Sequence, residues 1–98
     1  MLYAVLFEDN ETQAEMRTQH MAAHLAFLAA HADRIRSAGP LREAASGAPA
    51  GGLWLVEASD AAAVQALIEA DPFWPTGLRK SQRILGWRQV FAEGQRLI

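Results

Sequence analysis

Apolar residues along the chain change their spacing several times, and each change marks an element. "LYAVLF" at residues 2–7 is rich in strand formers and runs into the polar "EDNE", which reads as a first strand and a turn. From Thr12 to Ser37 the residues Met21, Leu25, Leu28, Ala32 and Ile35 recur at three- and four-residue steps, the signature of one helical face. "SAGP" is expected to stop that helix, because Gly39 suits a helix C-terminus and Pro40 cannot continue one. "PLREA" then reads as a short edge strand, "ASGAPAGG" as a loop and "LWLVEA" as a third strand. Ser59 or Asp60 is placed to cap a second helix reaching about Ala70, with Val64, Leu67 and Ile68 facing inward. "DPFWPTG" breaks it with two prolines and a glycine. "SQRILGWRQVF" reads as the last strand, with Gly86 placed for a bulge.

The predicted order is β-α-β-β-α-β, an α+β chain of the ferredoxin-like kind: an antiparallel sheet with two helices on one face. No repeat or low-complexity tail interrupts it, so residues 1–98 are expected to form a single domain. The strands carry apolar residues on both faces. Leu2, Ala4 and Leu6 oppose Tyr3, Val5 and Phe7, and Leu53 and Leu55 oppose Trp54 and Val56. Two helices cover one face only, and a wet face should be polar. A homodimer with sheets packed face to face is therefore expected.

Composition narrows the chemistry. There is no cysteine, which excludes disulfides, thiolate catalysis and cysteine-ligated metals. The net charge of -2 offers no general attraction to nucleic acid or anionic membrane. The C-terminal Arg79, Lys80, Arg83, Arg88 and Arg96 stand against Glu93 alone, which makes a solvated edge, a pairing surface or a holder of an anionic substrate. "MAAHLAFLAA" is the longest apolar stretch and is far short of a membrane span. The apolar start has no basic flank and is too short for a signal peptide, so a soluble cytoplasmic protein is the default expectation.

All three histidines fall within "HMAAHLAFLAAH". On a helical wheel of about 100° per residue centred on Leu28, His24 lies about 40° off the buried face, His31 about 60° and His20 about 80°. His24 thus points furthest inward, and the bland reading of the other two is semi-exposed helix-shoulder residues. The pair His20 and His24 has the spacing for a metal, but zinc sites usually recruit at least three protein ligands and no HExxH pattern exists; no metal or cofactor is expected.

The segments "HLAFL", "AGPL" and "DPF", in this order, are similar to the YciI-like (YCII-related) family over nearly the whole length. Arg17, His24, Leu25 and Leu28 match its first helix, Gly39 and Pro40 its Gly-Pro pair, Asp71, Pro72 and Phe73 its Asp-Pro-aromatic triplet, and Gly77 a following glycine. The resemblance implies a dimeric α/β-barrel type of assembly joined through the sheets and an active site around His24 and Asp71. One member removes chloride from a chlorinated hydroxyhydroquinone. The chain departs from many members in two places: Met21 stands where they carry an arginine, and Phe73 where they carry a tyrosine. An anion-binding role at position 21 loses its arginine, and the expected substrate is more apolar.

A carboxylate on the far nitrogen of a histidine fixes the tautomer and raises basicity, which suits proton abstraction, isomerisation or elimination. Asp71 in an Asp-Pro turn is equally read as a backbone cap. Tyr3, Phe73 and Trp74, with Arg17, Gly39 and Pro40, are the candidate substrate-binding residues, aromatic packing being the alternative for the rings. The expected function is a cofactor-free lyase, isomerase or dehalogenase acting on a small molecule. The alternative is a non-catalytic ligand-binding or interaction module with the dimer cleft as its site.

Overall fold

The computed structural model describes residues 1–98. The chain runs β1 (Leu2–Asp9), α1 (Glu15–Ala30), β2 (Ile35–Arg42), β3 (Pro49–Glu57), α2 (Ala61–Ala70), β4 (Arg79–Gly86), then a small hairpin of β5 (Phe91–Ala92) and β6 (Gln95–Arg96). The four long strands form one antiparallel sheet in the order β2-β3-β1-β4, the ferredoxin-like arrangement. Tyr3, Val5 and Phe7 of β1 and Trp54 and Val56 of β3 point to the helix side. They pack there with Ile35 and with Val64, Leu67 and Ile68 of α2, the three residues whose spacing marks that helix's inner face. Asp60 caps α2 by accepting a hydrogen bond from the Ala63 N–H at 2.8 Å. No helix is long and apolar enough to cross a membrane.

Three boundaries differ from the sequence expectation. α1 ends at Ala30, seven residues before Ser37, with no glycine or proline at its end. Ile35, expected on the helix face, instead pairs with Val56 in the sheet and is buried. Its helical spacing from Leu28 is outweighed by the ladder it joins, since α1 has already stopped at His31, whose φ of -116 leaves the helix. Gly39 and Pro40 lie within β2. That strand is at the sheet edge, where a residue without an N–H is tolerated. β3 starts at Pro49, so half of the expected "ASGAPAGG" loop is strand. At the other end β4 stops at Gly86 rather than Phe91, and Glu93 and Gly94, both at positive φ, turn the β5–β6 hairpin. Gly86 is not a bulge; the β1–β4 register shifts at Glu8/Asp9.

The second face of the sheet carries no helix. Leu2, Ala4, Leu6, Leu53 and Leu55 are half-buried there and Leu85 is exposed. Only 13 of 98 residues are buried, a thin core for a chain of this length.

Gly51 holds the β3 bulge opposite Pro40 and Arg42. Its φ is +85, and a Cβ there would lie 1.8 Å from the Phe7 carbonyl oxygen. Gly47 has a similar φ of +75 in open space. Gly51→Ala is therefore expected to destabilise the protein by more than Gly47→Ala, whose strain is about 1 kcal/mol. Urea midpoints of the two variants check the order.

Candidate functional site

Pro72 decides where the site's carboxylate stands. The residue before a proline is pushed out of the helical region, and Asp71 leaves α2 at φ -66, ψ 134. Its side chain turns back: Oδ1 accepts the Phe73 backbone N–H at 3.0 Å, an Asx-type turn. The same Oδ1 lies 2.9 Å from His24 Nδ1. Backbone cap and histidine partner, alternatives in the sequence, are both realised by one oxygen. His24 is the only buried residue of α1, and its ring stacks on Phe73 at 4.2 Å between centroids.

The other oxygen faces Arg79. Asp71 Oδ2 and Arg79 Nη1 are 2.9 Å apart, a buried ion pair, and neither atom has another protein partner. The guanidinium carbon sits 3.9 Å from the Phe7 ring centre, 5.0 Å from Trp54 and 5.6 Å from Phe73. A bulge puts it there. Glu8 pairs with Ser81 but Asp9 with Arg79, leaving Lys80 as the extra residue. Strict alternation from Ile84 and Gln82 would turn residue 79 to the helix-free face; the extra residue reverses it.

Burial alone would push the Asp71 carboxyl up, but the His24 and Phe73 hydrogen bonds and the Arg79 charge outweigh it and hold the group below the ordinary carboxylate value. Burial pulls the Arg79 guanidinium down, against the opposing pull of Asp71. An ionised Asp71 can only accept, so Nδ1 of His24 carries the proton and donates. Nε2 is left without a protein partner and keeps solvent access.

His24 and Arg79 line a cavity of about 350 Å³ between α1 and the β2–β3 arm, a volume in the range of small-molecule sites. The sheet positions facing α1 there are Ala38, Pro40 and Gly52, whose compact side chains, or none, leave the space open. Arg17, Gly39, Pro40 and Phe73 also line it. Asp71 lies behind His24, fully enclosed. Tyr3 and Trp74 are not at the cavity: Tyr3 packs in the core beside Val5, and Trp74 is exposed on the turn after α2. Arg17 is held by Asp9 at 3.0 Å and Glu11 at 2.9 Å; the Glu11 hydrogen bond leads the effects that raise its pKa. Arg79, Asp9 and Trp54 line the cavity without having been singled out as site residues. The basic C-terminal quarter was the only sequence signal for Arg79. His20 and His31 stay half-exposed, His31 2.8 Å from Arg34, and no three histidine, aspartate or glutamate side chains cluster as a metal-binding set.

The model of the YCII-related domain matches residues 1–88. The chain belongs to the YCII-related family. Among solved structures, this YCII-related protein is similar to 5-chloro-2-hydroxyhydroquinone dehydrochlorinase from Burkholderia phenoliruptrix AC1100, in complex with 2,5-dihydroxybenzoquinone. The two are 28% identical with a TM-score of 0.78, over 90% of this chain and 94% of that one. No curated protein matches the sequence.

The lowered Asp71 pKa makes stability depend on pH. A carboxylate favoured in the folded state stabilises fully above its unfolded value, about 3.9, and that contribution is lost as pH falls through the lower folded value. Asp71→Asn is expected to lower stability at neutral pH and to flatten its decline below about pH 4. Urea midpoints across acid pH measure this, and an unchanged slope would contradict it.

Proposed function

We propose that this YCII-related protein is a cofactor-free small-molecule enzyme in which His24 is the general acid/base and Asp71 orients it. The observation that carries this is the 2.9 Å contact between His24 Nδ1 and the enclosed Asp71 carboxylate at the wall of a cavity. Nε2 then takes a proton from a bound substrate, and Asp71 stabilises the imidazolium that forms. In an elimination, the electron pair left by that proton becomes a new π bond as a leaving group departs with its own pair. Nε2 can return the proton to the leaving group or to water. The dehydrochlorinase to which the chain is similar, by its name, removes the elements of HCl from a chlorinated hydroxyhydroquinone. An elimination or isomerisation on a small unsaturated molecule is the reaction class we assign here. The apolar wall, with Leu25, Leu28, Trp54 and Phe73, suits such a molecule.

Two copies are further proposed to pair through the helix-free face of the sheet. Leu2, Leu6, Leu53, Leu55 and Leu85 form an apolar surface there that no helix covers, with Trp87 and Phe91 of the C-terminal segment beside Leu2 and Leu55.

Wild-type protein should release chloride from a hydroxylated chloroaromatic, and His24→Ala should lower kcat by about 10²- to 10⁴-fold with its circular dichroism unchanged. His24→Ala turning over at the wild-type rate would refute the assignment. Light scattering at micromolar concentration should give twice the 10.7 kDa chain mass, and Leu55→Glu should return a monomer. Wild type found as a monomer would rule out the pairing.

A further inference from the structure

Beside Arg17, α1 lines the cavity with two pairs of residues, each pair four apart and so neighbours on one helix face. His24 and Leu28 form the inner pair, Met21 and Leu25 the outer one. Exposure grades between them: His24 is 8% exposed, Met21 39% and Leu25 56%. The chemistry grades with it. The buried end holds the titratable His24, whereas Met21 and Leu25 offer a thioether and a hydrocarbon. Across from them the edge strand β2 presents the compact Ala38 and Pro40 and a half-buried Leu41. The cavity is therefore a trench that starts at His24 and opens at the sheet edge. Pairing of another strand onto that edge is disfavoured. Pro40 has no N–H, and the β2–β3 register shifts at Ile35/Ser37 and again at Pro40/Arg42. A concave, mainly apolar trench running into a titratable group fits a small molecule.

We propose that the outer half of the cavity binds an apolar substituent of the substrate, so that the ligand is a ring seated at His24 with a short alkyl chain lying between Met21 and Leu25 of α1 and Pro40 of β2. Such a chain removes apolar surface from water on both sides of the trench, which favours binding in proportion to the area covered. Met21 is unbranched and flexible and can follow the shape of the chain. A bare ring at His24 would leave Met21 and Leu25 as exposed as they are without it. This rests on the cavity being the substrate site, and it names the substrate class as alkyl-substituted rings. Met21 and Leu25 are specificity residues in this assignment, whatever the reaction.

The test is direct binding, followed by calorimetry, of resorcinol against 4-butylresorcinol, which share a ring and differ by the alkyl chain. Wild type is expected to bind 4-butylresorcinol about tenfold or more tightly, the gain that roughly two fully buried methylenes give. The double variant Met21→Gln/Leu25→Gln should cut that advantage to about threefold or less. Both positions are exposed and glutamine is a good helix former, so the fold is expected to survive. Ala38→Leu, an exposed position on the opposite wall, fills the trench and should also remove the advantage. Leu97→Gln, an exposed leucine away from the cavity, should keep it. Equal binding of the two ligands by wild type, binding of neither, an advantage that survives both cavity variants, or its loss in Leu97→Gln would overturn the inference. His24→Ala should retain the advantage. A protein that prefers 4-butylresorcinol but turns over no hydroxylated chloroaromatic would overturn the enzyme assignment alone, and turnover without any alkyl preference would overturn this one alone.

Discussion

The buried carboxylate of Asp71 is the joint on which the site hangs. Its two oxygens meet α1 through His24, the turn after α2 through the Phe73 N–H, and β4 through Arg79. A lone carboxylate taken out of water would be strongly disfavoured and would protonate instead. Here three partners keep it ionised, and only an ionised Asp71 fixes His24 with its proton on Nδ1. Removing any one partner would leave the others facing a poorly compensated charge. The same contacts that join the elements therefore set the protonation of the site.

The cavity beside this joint comes from what the sheet lacks. Trp54 and Val56 fill the space under the helices at one end of β3, whereas Gly52, Ala38 and Pro40 leave it empty at the other. The glycines of "APAGG" thus belong to strand architecture rather than to a loop. Gly51 allows a close approach of backbone to Phe7, and Gly52 opens the floor next to it. Met21 and Leu25 remain 39% and 56% exposed on α1, because that apolar stripe looks onto the open cavity rather than onto packed core.

Legibility followed the range of the forces involved. The start of α2 at Asp60, its stop before Pro72 and its inner face at Val64, Leu67 and Ile68 come from local rules, and each was readable. The two-sided strands were readable too, since alternation needs only neighbours. The end of α1 was not. The helical spacing continues through Ala32 to Ile35, and only the pairing of Ile35 with Val56 shows that β2 has begun. Gly39 and Pro40 mimic a helix stop because their local preferences are identical in an edge strand. Arg79 was hidden for a related reason: a bulge at Lys80 reverses the face it takes, and a bulge exists only relative to a partner strand. Tyr3 and Trp74 were placed near the site as aromatics of neighbouring segments, but sequence proximity does not choose between core, surface and cavity wall.

From its sequence alone, this chain's element order, ferredoxin-like class, family and inward-facing His24 could be determined, because periodicity, capping and short motifs act within a few residues. Only the tertiary structure decided that Asp71, 47 residues away, reaches His24 with the same oxygen that caps its own turn. Only it decided that Arg79, paired with Asp71, stands at the cavity with Arg17. Those facts depend on strand register, a one-residue bulge and the absence of side chains beneath a helix, none of which any single segment encodes.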